Sequence, residues 1–409
     1  MTTVSLATIR EALLRIRPTV ACSPVKESLF LQRRSGFRSL LKLENLNVAG
    51  SFKIRGAVNA LMQMSPEELA QGVIAASAGN HAQGVAYTCR LLGAKATIFM
   101  PVRTPLVKAE ATRELGADVH LAGQTYDEAF HAAKAHQLAH GGIFIHAFDD
   151  ARIINGQGTI GFELLDQIPD LGLVVVPIGG GGLISGIATA LKGLKPDVRI
   201  VGVQSQAYPA IQRSFAEGRF LSCSQGSTIA DGIAIKQPSE FTFAIIEKLV
   251  DEVITVDEQE IASAVMSLME WDHMLAEGAG AASVAGLLKL VDSGAMPALG
   301  KRSLACVISG GNIDVNLLKR IIPNGLKHSG RLMRLAVRIP DRPGRLAELL
   351  NLVGRAGANL QDVQHNRLFG AVGYEDVEVQ LDLDTLDMKH QDEILTALEQ
   401  GQFKYSKLD

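Results

Sequence analysis

Leu173-Val174-Val175-Val176-Pro177-Ile178 runs straight into Gly179-Gly180-Gly181-Gly182-Leu183, and a helical pattern follows from Ile184 to Lys192. The first six residues are apolar throughout instead of alternating. That is the pattern of a strand covered on both faces, as in a parallel sheet flanked by helices. Four consecutive glycines cost chain entropy, and they make sense where backbone amides must wrap a phosphate. A purely structural turn is the alternative. The run fails the dinucleotide fingerprint, because its third glycine position holds Ile184 or Ser185. It also lacks the Gly-Lys-Ser/Thr ending of a nucleotide loop. It therefore points to a phosphate that belongs to neither a dinucleotide nor a nucleoside triphosphate.

Outward from this stretch the same alternation recurs. Gly72–Ala76, Ala96–Met100, Asp118–Leu121, Gly142–His146, Arg199–Val203 and Leu304–Ile308 read as strands, and a helix is predicted from His81 to Leu92. Strands apolar on both faces and separated by helices predict an α/β fold over residues 1–320, with a parallel sheet covered on both sides. The basic, Pro- and Gly-containing stretch 321–331 reads as a linker. From 332 to 409 the order is strand (Leu332–Ile339), helix (Arg345–Arg355), strand (Asn359–Arg367), strand (Tyr374–Leu383), helix (Met388–Glu399) and a last strand. This is the ferredoxin-like βαββαβ pattern.

Composition narrows the function classes. The 409 residues carry 40 Lys and Arg against 43 Asp and Glu, for a formal net charge of −3, and aromatics are 5%. A nearly neutral, aromatic-poor chain advertises neither nucleic acid nor an anionic membrane as a partner. No run approaches the roughly 18–20 apolar residues of a membrane span. The start Met1-Thr2-Thr3-Val4-Ser5 lacks a basic-then-apolar signal. Cys22, Cys89, Cys223 and Cys306 are far apart and form no C-x-x-C pair, so reduced thiols in a cytoplasmic protein are expected. His131, His136 and His140 share a predicted helix but lack the zincin glutamate, and no metal is expected.

Four segments beside strand ends carry the candidate chemistry, at the edge where open α/β sheets bind ligands. Gly50-Ser51-Phe52-Lys53-Ile54-Arg55-Gly56-Ala57 offers a lysine in apolar, small surroundings. Burial lowers a lysine pKa and frees the amine for Schiff-base chemistry, although most lysines are solvated charges. Ser77-Ala78-Gly79-Asn80-His81 joins a strand to a helix whose first N–H groups suit a carboxylate or phosphate; an ordinary cap is the alternative. The glycine run is the third segment. Ser309-Gly310-Gly311-Asn312 places a hydroxyl at a strand end, able to bond a ring nitrogen or simply to cap a turn.

Taken in this order, the segments resemble the fold-type-II pyridoxal-phosphate enzymes, and among them the threonine dehydratases (threonine ammonia-lyases), over about residues 5–320. The region after Arg331 is similar to ACT-type regulatory domains, with Asp341-Arg342-Pro343-Gly344 at the ligand-binding turn. The resemblance implies two open, mostly parallel α/β sheets, with a smaller subdomain at about 45–145 inserted in the larger one, and pyridoxal 5'-phosphate as cofactor. Lys53 would hold it as a Schiff base, with Gly179, Gly180, Gly181, Gly182 and Leu183 around its phosphate. Asn80 would bond its 3'-oxygen, and Ser309 would face its ring nitrogen. Ser77, Gly79 and His81 would surround the substrate carboxylate. It further implies loss of water and ammonia from threonine or serine to give a 2-oxo acid, in isoleucine biosynthesis. An isoleucine or valine effector would act near Asp341 and Gly344 in a homodimer or homotetramer. Serine racemases carry a serine where this chain has Ala78, and their divalent-ion carboxylates match Gln204 and Ala210 here, so little racemisation and no such ion are expected. Asp231-Gly232 and Glu277-Gly278 are expected to line the pocket. Two other readings stay open: dehydration or β-replacement on another 3-hydroxy amino acid, and a catalytically idle amino-acid sensor.

Overall fold

The computed structural model describes residues 3–224, 226–366 and 375–408. The chain divides into two compact units, Met1–Asp314 and Val315–Asp409. The first unit holds two sheets. The larger has six strands in the order Val25–Glu27, Ser39–Leu43, Ser303–Ile308, Leu171–Pro177, Arg199–Ser205, Glu252–Val256. All neighbours run parallel except the edge strand Val25–Glu27. The smaller sheet is wholly parallel, in the order Asp118–Leu121, Ala96–Met100, Val73–Ala76, Ile143–Phe144.

The central strand Leu171–Pro177 is buried at every residue, which is why its sequence is continuously apolar. Its core includes Val174, Val176, Ile184, Ile187 and Leu191. The smaller sheet packs a separate core of Val73, Ala75, Ile98 and Met100 against Ala57, Leu61 and Val85. The strand expected at Gly142–His146 keeps ladder pairing only at Ile143–Phe144, next to Val73 and Ile74. The strands Val25–Glu27, Ser39–Leu43 and Glu252–Val256 lie outside the strand set read from the sequence. They are short, and all three carry charged residues (Lys26 and Glu27, Lys42, Glu252) that blur the apolar pattern.

Glycine-mediated helix contacts bind the parts together. A Cβ on Gly156 would meet the backbone of Arg55 and Gly56, and one on Gly186 would meet Gly158. The helix Ala151–Gln167 therefore touches both Lys53–Leu61 and Gly182–Leu194 at backbone distance. This fixes the lysine helix relative to the helix behind the glycine run.

In the second unit, the strands Asn359–Asn366, Asp376–Asp384, Leu332–Pro340 and Lys404–Leu408 form an antiparallel sheet in that order. The helices Arg345–Arg355 and Met388–Gln400 complete a βαββαβ sequence. Its core contains Leu335, Val337, Leu349, Val379, Leu381 and Ile394. The expected strand ends Arg367 and Tyr374 lie outside the described residues. The stretch 321–331, read from the sequence as a linker, is largely helical. A helix, Val315–His328, runs through most of it despite Pro323. Leu317, Leu318, Ile321 and Ile322 recur at helical spacing, and this apolar stripe outweighs the backbone bond that Pro323 removes.

Candidate active site

The segment Ser309–Asn312 leaves the end of the strand Ser303–Ile308 and turns back on the lysine segment. Phe52 N–H donates to Ser309 O at 3.0 Å, Ser51 pairs with Gly310 as an isolated bridge, and Gly311 N–H donates to Gly50 O at 2.9 Å. Two motifs more than 250 positions apart in the chain are thus joined by backbone bonds. Lys53 is the first residue of its helix, and Gly84 of the helix Asn80–Leu92 packs directly on the Lys53 backbone.

A cleft of about 1040 Å³ opens at this junction. Lys53, Ser77, Gly79, Asn80, His81, Gly179, Gly180, Gly181, Gly182, Leu183 and Ser309 all line it, as do Asp231, Gly232 and Glu277. Lys53 Nζ donates to Ala147 O at 3.0 Å. Burial pulls its ammonium down to about 8, against the opposing attraction of Glu277. The neutral amine that a nucleophile or base requires is therefore far more populated near neutral pH than for an ordinary lysine. Asp341 and Gly344 lie in the second unit. Asp341 N–H donates to Glu375 O at 2.9 Å, and Gly344 takes φ +90° to open the helix Arg345–Arg355.

The glycine run is shaped from outside. A Cβ on Gly180 would overlap the ring of Phe148, and one on Gly179 would come 3.0 Å from Ile233 Cα. Gly181 takes φ +90°, and Thr242 Oγ1 donates to Gly180 O at 2.8 Å. The following helix begins without a side-chain cap, so its first N–H groups remain for a ligand. The helix Asn80–Leu92 also begins uncapped, while Ser77 Oγ accepts from Gly79 N–H at 3.2 Å.

His81 is held by its ring and not offered as a base. Its Nε2 lies 3.1 Å from Ile145 O, and burial, reinforced by the Lys53 charge, pulls it down to about 3. It stays neutral, so what it presents to an anion is its backbone N–H. Glu277 is pushed up to about 7 by burial and by the Asp231 charge, with the Asn80 bond and the Lys108 and Lys53 charges opposing. Ser309 is buried, and its Oγ lies 3.4 Å from Ala279 O. Gln204 is buried with its Oε1 accepting from Gln212 N–H at 2.8 Å. Among the described residues, no three His, Cys, Asp or Glu side chains are arranged to hold a metal ion.

Several lining residues escape a sequence reading: Phe148, Lys108, Asp127, Lys236 and Ser239. None sits in a glycine-rich or small-residue motif, and a charge or ring alone in a loop or helix carries no local signal. Behind the site, Arg55 is fully buried between Glu44, at 2.7 Å, and Glu163, at 2.6 Å. Lys42 adds a 2.6 Å bond to Glu163.

These features fit pyridoxal phosphate. A glycine cradle closed by Phe148 and an uncapped helix suit its phosphate, and a lysine near neutrality suits its carbonyl carbon. The comparisons agree. The sequence model of pyridoxal-phosphate dependent enzymes matches residues 16–310. An L-threonine ammonia-lyase of Thermotoga maritima is 46% identical over 395 residues, covering 97% of each chain. The processed form of threonine deaminase isoform 2 from Solanum lycopersicum superposes with a TM-score of 0.74 at 36% identity, over 78% of this chain and 88% of that one. Maize serine racemase superposes with the same TM-score of 0.74 at 32% identity, over 80% and 98%. With the lysine, the cradle and the fold all in agreement, the chain belongs to the pyridoxal-phosphate-dependent enzymes.

Proposed function

We propose that this chain is a threonine ammonia-lyase, converting L-threonine to 2-oxobutanoate and ammonia and L-serine to pyruvate and ammonia. The observation that carries this reading is the meeting of Lys53 and the glycine run in one cleft. The near full-length similarity to an enzyme named for threonine then selects the substrate. The bound cofactor supplies an electron-withdrawing ring that acidifies the Cα–H of an amino acid joined to it. Lys53 supplies the attachment point, and its amine takes the Cα proton at Nζ once freed. Its depressed pKa keeps that amine competent near neutral pH. Gly179 to Leu183 would hold the phosphate through backbone N–H groups, and Ser309 would face the ring nitrogen as a neutral partner. Asn80 would bond the 3'-oxygen. Ser77 Oγ and the N–H groups at the start of the helix Asn80–Leu92, Gly79 and His81 included, orient the substrate carboxylate.

Ala78 lines the same cleft and its methyl group cannot return a proton to the opposite face of Cα, which favours elimination over racemisation. The βαββαβ unit is read as an ACT-type domain, with isoleucine or valine bound near Asp341 and Gly344 and coupled to activity by roughly 1–3 kcal/mol. On this reading the enzyme serves isoleucine biosynthesis. A homodimer or homotetramer is the expected assembly, and Trp271, 56% exposed and stacked on Phe30, is consistent with a covered face. The four cysteines are free, which suits a reducing cytoplasm.

The test is 2-oxo acid release from threonine and serine by the cofactor-loaded protein, with and without isoleucine or valine. Release from threonine, reduced at least about 10²-fold in Lys53→Ala, is expected. No release, or full activity in Lys53→Ala, overturns the reading. A flat response to both effectors removes the regulatory part alone.

A further inference from the structure

Asn80 is held on both sides of its amide. Its Oδ1 accepts from Asn312 Nδ2 at 2.7 Å, and its Nδ2 donates to Glu277 Oε1 at 2.6 Å. Nitrogen and oxygen of an amide are readily exchanged in assignment, but here the partners settle the choice. Asn312 Nδ2 also lies 3.1 Å from Ala49 O, and a backbone carbonyl only accepts. Asn312 must therefore present its NH₂ group, so the Asn80 atom facing it is oxygen. The other arm of Asn80 is then the NH₂ group, and it meets a carboxyl oxygen. Of the two N–H bonds on Asn80 Nδ2, one is spent on Glu277 and one remains for the cleft that Asn80 lines.

The backbone is arranged to permit this. Glu277 N–H donates to Gly310 O at 3.1 Å, which places the side chain over the Ser309–Asn312 turn. A Cβ on Gly310 would collide with Glu277 Oε1 and stand 3.0 Å from Asn80 Nδ2. Gly310 is thus a glycine because the Glu277–Asn80 bond passes over it. Asn312 is steadied in turn by Gln83, whose Oε1 is 3.3 Å from Asn312 Nδ2.

We propose that Glu277 and Asn312 are positioning residues that fix the Asn80 amide as a hydrogen-bond donor toward the cofactor, so that this point of the site takes an acceptor oxygen. This rests on the reading of Asn80 above and deepens it. An unclamped amide could turn its oxygen toward the same atom, and two facing acceptors repel. The clamp removes that alternative before the cofactor arrives, which is preorganisation in the ordinary sense.

The test uses pyridoxal phosphate alone and no amino acid, so its result is independent of whether threonine is the substrate. Apoenzyme prepared from the holoenzyme is titrated with pyridoxal phosphate, and the dissociation constant and the absorption band of the bound cofactor are recorded. Glu277→Ala and Asn312→Ala are each expected to weaken binding about tenfold, which equals about 1.4 kcal/mol, and to shift the band. Glu277→Gln, whose side-chain oxygen can still accept from Asn80, is expected to restore most of the affinity. In an Asn80→Ala background, Glu277→Ala and Asn312→Ala are expected to add almost nothing, since they act through the absent amide. Equal losses with and without Asn80 overturn the proposal, as does wild-type affinity and band in both alanine variants. Should Glu277→Ala fail to fold, the Asn312→Ala cycle decides by the same criteria.

Discussion

Lys108 Nζ and Asp231 Oδ2 stand 2.5 Å apart, joining the helix Leu106–Glu114 to the segment Asp231–Ile233 at the rim of the cleft. A second pair, Lys236 with Asp127 at 3.3 Å, spans the same cleft with the charges reversed. One partner of each pair follows the smaller sheet's strands and the other follows the larger sheet's. Together they bridge the opening. Both pairs have one well-exposed partner, so each contributes at most about 1 kcal/mol. Lys108→Ala is expected to raise the KM for threonine about three- to fivefold with little change in kcat, and to reduce its dependence on ionic strength. The charge swap Lys108→Asp with Asp231→Lys should recover most of the loss. Strictly additive single and swapped variants would show that the two side chains do not work as a pair.

Gly180 carries a prediction about the phosphate cradle. Because a Cβ there overlaps the Phe148 ring, Gly180→Ala must displace either the ring or the loop. The expected cost is about 1–3 kcal/mol of stability, together with weakened cofactor binding. Phe148→Ala added to Gly180→Ala should regain loop geometry and part of the stability. Thermal unfolding and cofactor titration of the three variants check this. An unperturbed Gly180→Ala protein would contradict the tight contact.

His81 predicts acid sensitivity. Its pKa is lowered to about 3 by burial, so the folded state keeps it neutral while the unfolded chain takes up a proton near pH 6.5. Below that pH the unfolded state binds more protons, and stability falls as pH falls from about 6.5 toward 3. Between pH 7 and 5 this single group should cost about 2 kcal/mol. His81→Gln can still donate to Ile145 O but does not titrate. Urea unfolding at both pH values should therefore show a smaller loss in the variant, and equal losses would refute the assignment.

Arg55 predicts a stability effect away from the chemistry. It is fully buried between two carboxylates, and its removal strands Glu44, with Lys42 left to serve Glu163. Arg55→Met should destabilise by about 3–5 kcal/mol. Adding Glu44→Gln should recover a substantial part, because it removes the orphaned charge. Chemical denaturation of the single and double variants measures both. A mild effect in Arg55→Met would show that the network contributes little.

Much of this molecule is legible before folding. The alternation of doubly apolar strands with helices, the succession of elements after Leu332 and the glycine run rest on local patterns, set by burial and backbone preference, whereas Lys53 stands out only through the resemblance of the assembled motifs to a family. The strand Ala96–Met100 and the strand Asp118–Leu121 appear at the residues their sequence indicates. Local patterning also has a blind side. The helix Val315–His328 hides behind Pro323 and a cluster of basic residues, and the charged strand Ser39–Leu43 hides behind Lys42, whose charge is neutralised by a carboxylate 121 positions away. What only the tertiary structure decided is who meets whom. Glu277 reaches Asn80 across 197 positions, Asn312 reaches it across 232, and Phe148 closes on Gly180 from another segment altogether. Such meetings depend on how two sheets are packed and where their strand ends converge, and no window of sequence contains that information.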